Sequence, residues 1–523
     1  MTIRKAGTVI GRLSNAALTL GFTACTQAAS FDFEEYTIDT GLAPASAPFA
    51  ADLIAGQGKE IAIIVNDEKS ERQLLVYQYE PSANAYLERD RVAISREFHT
   101  FDLSEPVAKP PSPEQHAADP QASIQQSLFF LSSHKLYKYT PATIDKPGNL
   151  LPVLNLKTLI LKDDADFLAR GDFVRDINHD SYPDLLVADF EATQIFIGTE
   201  SGYQLQSLPI KADVIVDNRG ATYANPKLFL ADMNSDKRLD IVKVETGALV
   251  IHLQDQQQHF GEQPTQLAIA ANIHGTDWWH KRDSNGDELD QSDLSYRKVD
   301  EIKDINNDGL ADMIVRFTQS SGVLDRSNDY EIYLGQRTEG RLSLPLQPTS
   351  SIQAEGTLSG IELVDINGDD IFEVMLSGFD IGLTQIIGAL ISGSINQDVY
   401  IFAQDQAANF DDAPLMKENV NLNFSLSSGR SGSAVVELAD LNGDGHKELL
   451  LSKNNKALSI YAGLPEKANF ERKASRYKTL LPEDNSKLSV TDMNDDSKED
   501  IIFHYGKLDK RELSSTIKVL IAK

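Results

Sequence analysis

Six times the chain repeats a nine-residue phrase, Asp-x-Asn-x-Asp-x-x-x-Asp/Glu, starting at Asp176, Asp232, Asp304, Asp365, Asp440 and Asp492. Side-chain oxygens at positions 1, 3, 5 and 9 of a tight loop, with the carbonyl of position 7, form a donor set for a hard divalent cation, and calcium is the ion expected. In the first copy the donors are Asp176, Asn178, Asp180, the backbone of Tyr182, and Asp184. The later copies supply Asp232, Asn234, Asp236, Arg238 and Asp240; Asp304, Asn306, Asp308, Leu310 and Asp312; and Asp365, Asn367, Asp369, Ile371 and Glu373. The last two supply Asp440, Asn442, Asp444, His446 and Glu448, then Asp492, Asn494, Asp496, Lys498 and Asp500. A backbone ligand leaves its side chain free, and position 7 duly varies. Position 2 is always apolar (Ile177, Met233, Ile305, Ile366, Leu441, Met493), which predicts that it plugs each loop into a core. An isolated Asp/Asn turn would explain one copy, not six with one donor set. About six calcium ions are expected.

The other segment with chemistry runs from His274 to Asp293. It holds both tryptophans, Trp278 and Trp279, beside His274 and His280, and these four form a candidate ligand-binding group for a sugar or a peptide side chain. Within it, Asp283-Ser-Asn-Gly-Asp287 copies the first half of the nine-residue phrase. One more ion in the 283–293 insertion is the alternative to a plain solvated loop.

The elements that position these residues are short and β-prone. Each phrase is followed at once by an apolar run, such as Leu185–Ala188 or Leu449–Leu451, and after a turn by another, such as Thr193–Ile197 or Ala457–Tyr461. Several of the second runs end in Gly198, Gly335 or Gly463, which reads as a turn signal. The phrases start about 50 to 75 residues apart, room for one four-stranded antiparallel sheet per repeat. One such sheet cannot bury both its faces, so stacking around an axis is the natural closure. Degenerate copies precede the first phrase: Asp52–Glu60 keeps the first and last acids without the middle donors, and Ser127–Leu131 with Lys135–Tyr139 is fainter. The expected fold is all-β, a β-propeller of seven or eight four-stranded blades, with eight preferred. A strand around Glu35–Ile38 would supply the outstanding strand that closes the ring.

The best copies, Asp304-Ile-Asn-Asn-Asp-Gly-Leu-Ala-Asp312 and Asp440-Leu-Asn-Gly-Asp-Gly-His-Lys-Glu448, resemble FG-GAP/VCBS repeats, the unit of the integrin α-subunit propeller head and of many bacterial exported proteins. The resemblance covers Asp176–Lys523 firmly and Ala50–Arg175 weakly. It implies propeller blades whose loops bind calcium structurally, with the donors named above. Glu373 and Glu448 depart from the usual Asp at position 9, and the Gly-Ala-Pro half of the repeat is absent. The family spans adhesion heads, lectin-like modules and domains appended to enzymes, so it leaves activity open.

Composition bounds the rest. The net charge is -29 and no basic patch is found, which argues against nucleic acid. The eighteen carboxylates of the phrases account for much of the excess. The only cysteine is Cys25, behind a basic start (Arg4, Lys5, Arg12), a short apolar stretch and small residues. Phe22-Thr-Ala-Cys25 resembles the lipobox of bacterial lipoproteins, which implies lipidation of Cys25 and removal of an export signal at 1–24. Residues 25–48 then read as a tether with the ring-closing strand, and 49–523 as a single propeller, with degenerate blades over about 49–170 and calcium-loop blades over about 171–523. The expected location is the cell envelope, as an outer-membrane-attached lipoprotein or a secreted protein that meets membrane through its lipid alone. Neither Gly-x-Ser-x-Gly, His-Glu-x-x-His nor a phosphate loop occurs. A monomeric binding or structural module for a protein or glycan is therefore expected, ahead of a calcium-dependent polysaccharide lyase or hydrolase.

Overall fold

The computed structural model describes residues 30–523 apart from 55, 57, 109–123, 218–219, 323–324, 355–356, 380–392, 406–407, 412, 426–429 and 466–468. The expected export signal at 1–24, Cys25 and the Pro-rich stretch from 109 lie outside the described residues. The β-prone runs become eight essentially antiparallel sheets of four or five strands, arranged as an eight-bladed propeller. Blade three illustrates the plan: Val174–Arg175, Asp184–Ala188, Thr193–Thr199 and Gly202–Leu208 pair in sequence order. The choice between seven and eight is settled by Leu128–Leu131 and Lys135–Thr140, which pair with each other inside a sheet of their own as blade two.

Second and third strands are sandwiched between neighbouring blades, which is why they read as continuous apolar runs and not as alternating ones. Ile61 to Val65 in blade one are all fully buried. Each interface between neighbours is one apolar cluster, and the position-2 residues sit in these clusters. Ile177 packs with Ile195 and Ile241 between blades three and four, Met233 with Val299 and Met313 between four and five, and Ile305 with Leu358 and Val374 between five and six. Ile366, Leu441 and Met493 do the same at the next three interfaces. The expected plug is thus a residue that joins its own blade to the next one.

The ring is closed by the N-terminal strand. Phe33–Asp39 adds antiparallel to Thr516–Ala522 over seven residue pairs, so the outer strand of blade eight comes from the start of the chain. Ile38 is buried with Ile63, Ile502 and Ile517 in the cluster between blades eight and one, whereas Thr37 faces solvent. First strands of blades two to six line a central cavity of about 1440 Å³, with Phe173, Phe229, Ile302 and Leu363 on its wall. Removing the Ile38 side chain (Ile38→Ala) is expected to cost about 2–5 kcal/mol. Thr37→Ala should stay within about 0.5 kcal/mol. Denaturant melts of the two variants check the difference, and equal effects would mean that the strand does not seal the ring.

Candidate functional site

All six phrases fold alike. Positions 4 and 6 take left-handed backbone in every copy, from His179 and Ser181 (φ 56° and 73°) to Asp495 and Ser497 (φ 61° and 67°). Short polar side chains and glycine tolerate that region, which accounts for all the types found there but His179 and Lys237. The two bends wrap the chain around the first acid. Its Oδ1 accepts the N–H of position 5 and its Oδ2 that of position 6, at 3.1 and 3.0 Å for Asp176 and at 3.2 and 2.8 Å for Asp440. Asn178 Oδ1 accepts the Asp180 N–H at 3.0 Å, and Asp180 Oδ1 accepts the Tyr182 N–H at 2.9 Å. In the Asp365 copy the corresponding Asn367 Oδ1 is buried and has no hydrogen-bond partner.

The ninth residue has a second task that its place in the phrase does not announce. Asp184, Asp240, Asp312, Glu373, Glu448 and Asp500 are at most 4% exposed. One oxygen of each accepts the N–H of position 2, at 2.9 Å for Asp184 and 2.8 Å for Asp500. In five of them the other oxygen accepts an N–H at the end of the third strand: Gly198 (2.7 Å), Gln254 (2.8 Å), Gly335 (2.7 Å), Gly463 (3.3 Å) and Ala522 (2.8 Å). One carboxylate thus ties the loop mouth to two strands. Gly198, Gly335 and Gly463, read above as turn signals, are close-approach residues. A Cβ there would lie 2.5–2.6 Å from the carbonyl oxygens of Pro183, Ala311 and Lys447. Glu60 keeps the tie in the degenerate copy, accepting the N–H groups of Leu53 (2.9 Å) and Ile54 (3.1 Å).

Burial, opposed by these N–H donors, raises Asp184, Asp312, Glu373, Glu448 and Asp500 to about 7 and Asp240 to about 6; the acids at positions 1 and 5 add to the rise. Among the described residues no three His, Cys, Asp or Glu side chains already converge as a metal cluster. The donors nonetheless fit calcium: all are oxygens, three carboxylates and an amide per loop, and one amide oxygen, that of Asn367, is buried without a partner. Bound there, the ion would supply the positive charge that the crowded carboxylates lack.

The strand order separates the two rims. All six phrases connect a first strand to a second strand, so they share one face of the ring. Connections from fourth to first strands fall on the opposite face, and two of these carry extra structure: the free-standing hairpin Asp213–Asp217/Gly220–Ala224 and the tryptophan segment before Leu294. The first three strands of blade five, Leu294–Lys303, Asp312–Gly322 and Asp325–Tyr333, are lengthened at the same end.

The tryptophan segment is rigidly seated there. Trp278 is 9% exposed and packs with Leu294 and Tyr296, while its neighbour Trp279 is 46% exposed. His274 stacks on Tyr296 with ring centroids 4.6 Å apart, and its Nδ1 lies 3.0 Å from Thr246 Oγ1. His280 is exposed, its ring centroid 5.9 Å from that of Trp279. Of the four sequence candidates, Trp279 and His280 face solvent and Trp278 and His274 hold the base. Arg316, which nothing in the local sequence connects with the tryptophans, stands beside them. Its guanidinium lies 5.8 Å from the Trp279 ring and pairs with Asp277 and, at 3.5 Å, with Asp300. Lys298 reaches the same two carboxylates at 3.3 and 3.2 Å. The half-copy at Asp283 is a hairpin turn. Asp283 N–H donates to the Asp287 carbonyl at 2.9 Å, as Asp255 does to His259 and Asp405 to Asn409 at 2.8 Å. Asp290 caps a short 3-10 turn by accepting the Ser292 N–H at 2.9 Å, and Asp293 closes that turn.

The central cavity gathers His99, Tyr223, Lys227, Glu301, Lys303 and Glu362 on its wall. His99 has both ring nitrogens engaged, 2.8 Å from Thr100 Oγ1 and 3.1 Å from the Ser132 carbonyl. Lys227 donates to the Asp300 carbonyl at 2.8 Å. These partners are structural, and no nucleophile with an adjacent base is formed by them.

Neither a family model nor a curated protein matches the chain. Several solved structures are similar to it at low identity. A lectin from Agrocybe aegerita, described as recognising non-reducing terminal N-acetylglucosamine, is 14% identical, covers 84% of this chain and 93% of its own, and has a TM-score of 0.40. AofleA from Arthrobotrys oligospora is 9% identical over 74% and 90%, with a TM-score of 0.28. The V. cholerae biofilm matrix protein Bap1 is 10% identical over 82% and 88%, also with a TM-score of 0.28. Likeness of this degree says nothing about what the chain binds.

The tie and the ion donors can be separated by substitution. Glu60→Ala leaves buried N–H groups without partners and is expected to cost about 1–3 kcal/mol each, equally with calcium and with EDTA. Asp180→Ala should destabilise with calcium present and change little in EDTA. Thermal melts of both variants under both conditions check this.

Proposed function

We propose that the protein is an exported, calcium-stabilised propeller that acts as a binding or structural module for a protein or glycan partner at the cell envelope. The observation that carries this reading is the division of the ring into two faces. One face bears six near-identical loops of hard oxygen donors; the other bears the free-standing hairpin, the lengthened strand ends of blade five and the exposed Trp279. Repetition suits a structural ion, and irregular segments on a rigid frame suit recognition. An exposed indole backed by a charge-neutral quartet of Arg316, Lys298, Asp277 and Asp300 is a preorganised platform for a sugar ring or an apolar side chain.

Lipidation of Cys25 would also orient the molecule. Phe33 lies opposite Ala522, whose N–H is bound by Asp500 at the end of the last loop, so the outer strand of blade eight starts on the loop face. Eight residue steps separate Cys25 from Phe33, a reach of at most about 28 Å. An anchored ring would therefore carry its loops toward the membrane and Trp279 away from it.

Excess EDTA is expected to lower the melting temperature by about ten degrees or more, from the loss of several ions each contributing about 2–3 kcal/mol. An unchanged melt after metal removal has been verified would overturn calcium stabilisation. For the binding face, a glycan and surface-protein screen should yield a partner whose affinity falls at least about tenfold in Trp279→Ala while the melt stays unchanged. A partner indifferent to Trp279 would place recognition elsewhere.

A further inference from the structure

The loops are joined to one another as well as to their blades. Position 8 of one loop donates its N–H to the carbonyl of position 1 or 2 in the preceding loop. Phe372 donates to Ile305 (3.0 Å), Lys447 to Ile366 (2.8 Å), Glu499 to Asp440 (2.7 Å), and Lys59 of the degenerate loop to Met493 (2.8 Å). Side chains reinforce the chain of contacts. Glu499 accepts the Asp440 N–H at 2.8 Å and pairs with Lys447 at 2.7 Å, and Asp495 accepts the Gly58 N–H at 3.0 Å. Gly58 has φ +77°, and a Cβ there would stand 2.6 Å from the Met493 carbonyl oxygen, so the donor-poor loop is shaped to clasp its neighbour. The run therefore passes from the Asp304 loop through Asp365, Asp440 and Asp492 to blade one. At its near end, the one hydrogen bond between the Asp232 and Asp304 loops among the described residues is from Ser235 Oγ, 3.3 Å from the Gly309 carbonyl. Among the described residues no hydrogen bond joins the Asp176 loop to the Asp232 loop.

We propose that the six loops form two classes of calcium site: a coupled arc of four from Asp304 to Asp492, in which one ion favours the next, and two separate sites at Asp176 and Asp232. The proposal rests on the calcium reading above. Each link ends beside the first donor of one loop and beside the tie acid of the next. An ion that fixes the start of one loop thus fixes the acceptor its neighbour needs, and the second ion has less chain left to order. Coupling of this kind changes affinity by about 5- to 150-fold between neighbouring sites. The Asp176 and Asp232 loops, lacking the backbone link, fill on their own. The donor-poor loop of blade one has a role in this scheme as the terminal clasp, which transmits order in the Asp492 loop across the seam where the ring closes.

The test is a calcium titration of the full chain followed by calorimetry and by hydrogen exchange at single amides. The expected result is about six ions, with the amides of Phe372, Lys447, Glu499 and Lys59 gaining protection together over one narrow calcium range. The Asp180 amide should follow its own curve. Asp440→Ala should weaken calcium binding at the Asp365 and Asp492 loops at least about fivefold. Asp176→Ala should remove one ion and leave the rest unchanged. Should Asp440→Ala fail to fold, the wild-type exchange curves decide alone. Six ions with every amide titrating independently would overturn the coupling and leave calcium stabilisation standing. Fewer than three ions would overturn both.

Discussion

A hairpin whose mouth is crowded with carboxylates is held shut by one buried acid. That acid stands at the end of the loop and at the start of the second strand, and its two oxygens bind the loop's second amide and, in most copies, the far end of the third strand. The register of each blade and the placement of the apolar plug that joins it to its neighbour depend on this contact. The degenerate copy in blade one supports the ranking. The middle donors have gone and Glu60 remains, one oxygen accepting the N–H of position 2, Leu53, and the other the side-chain amide of Gln78 in the third strand. The cation donors can be lost from a blade; the tie has been kept.

Much of this was legible in the chain. The recurrence of the phrase and the two apolar runs behind it specify a four-stranded unit, because a period-free apolar run after a tight acidic turn fits a strand buried on both faces. Position 2 announced itself by being apolar in every copy, and the clusters explain why: it is the residue on which two blades meet. Glu35–Ile38 stood out as a β-prone segment without a local partner, and its pairing with Leu520–Ile517 supplies one.

Other features were not legible, for physical reasons. The glycines after the third strand look like turn residues, since sequence cannot distinguish a positive φ from a close approach; Gly198 and Gly335 serve the second purpose. The half-phrase at Asp283 shares its letters with the loops. A loop is defined by its second bend and its sixth-residue amide, which depend on the residues beyond the half-phrase, and after Asp287 the chain closes a hairpin instead. Arg316 lies 37 positions from Trp279 in the chain, and nothing local foretells that the lengthened hairpin of blade five brings the two together. The links between loops join residues far apart in the chain, Phe372 to Ile305 and, across the seam, Lys59 to Met493, which periodicity cannot reveal.

Function follows from the same economy of parts. A frame held by repeated ties and, in the reading proposed here, by repeated ions leaves the opposite face free to vary, and the tryptophan segment stands there. The measurement that tests this most directly is anomalous diffraction from crystals grown with calcium. The account predicts six peaks, one inside each nine-residue loop, each about 2.3–2.6 Å from oxygens of positions 1, 3, 5, 7 and 9. Crystals that show the same blades and ties with no peak in any loop would contradict it.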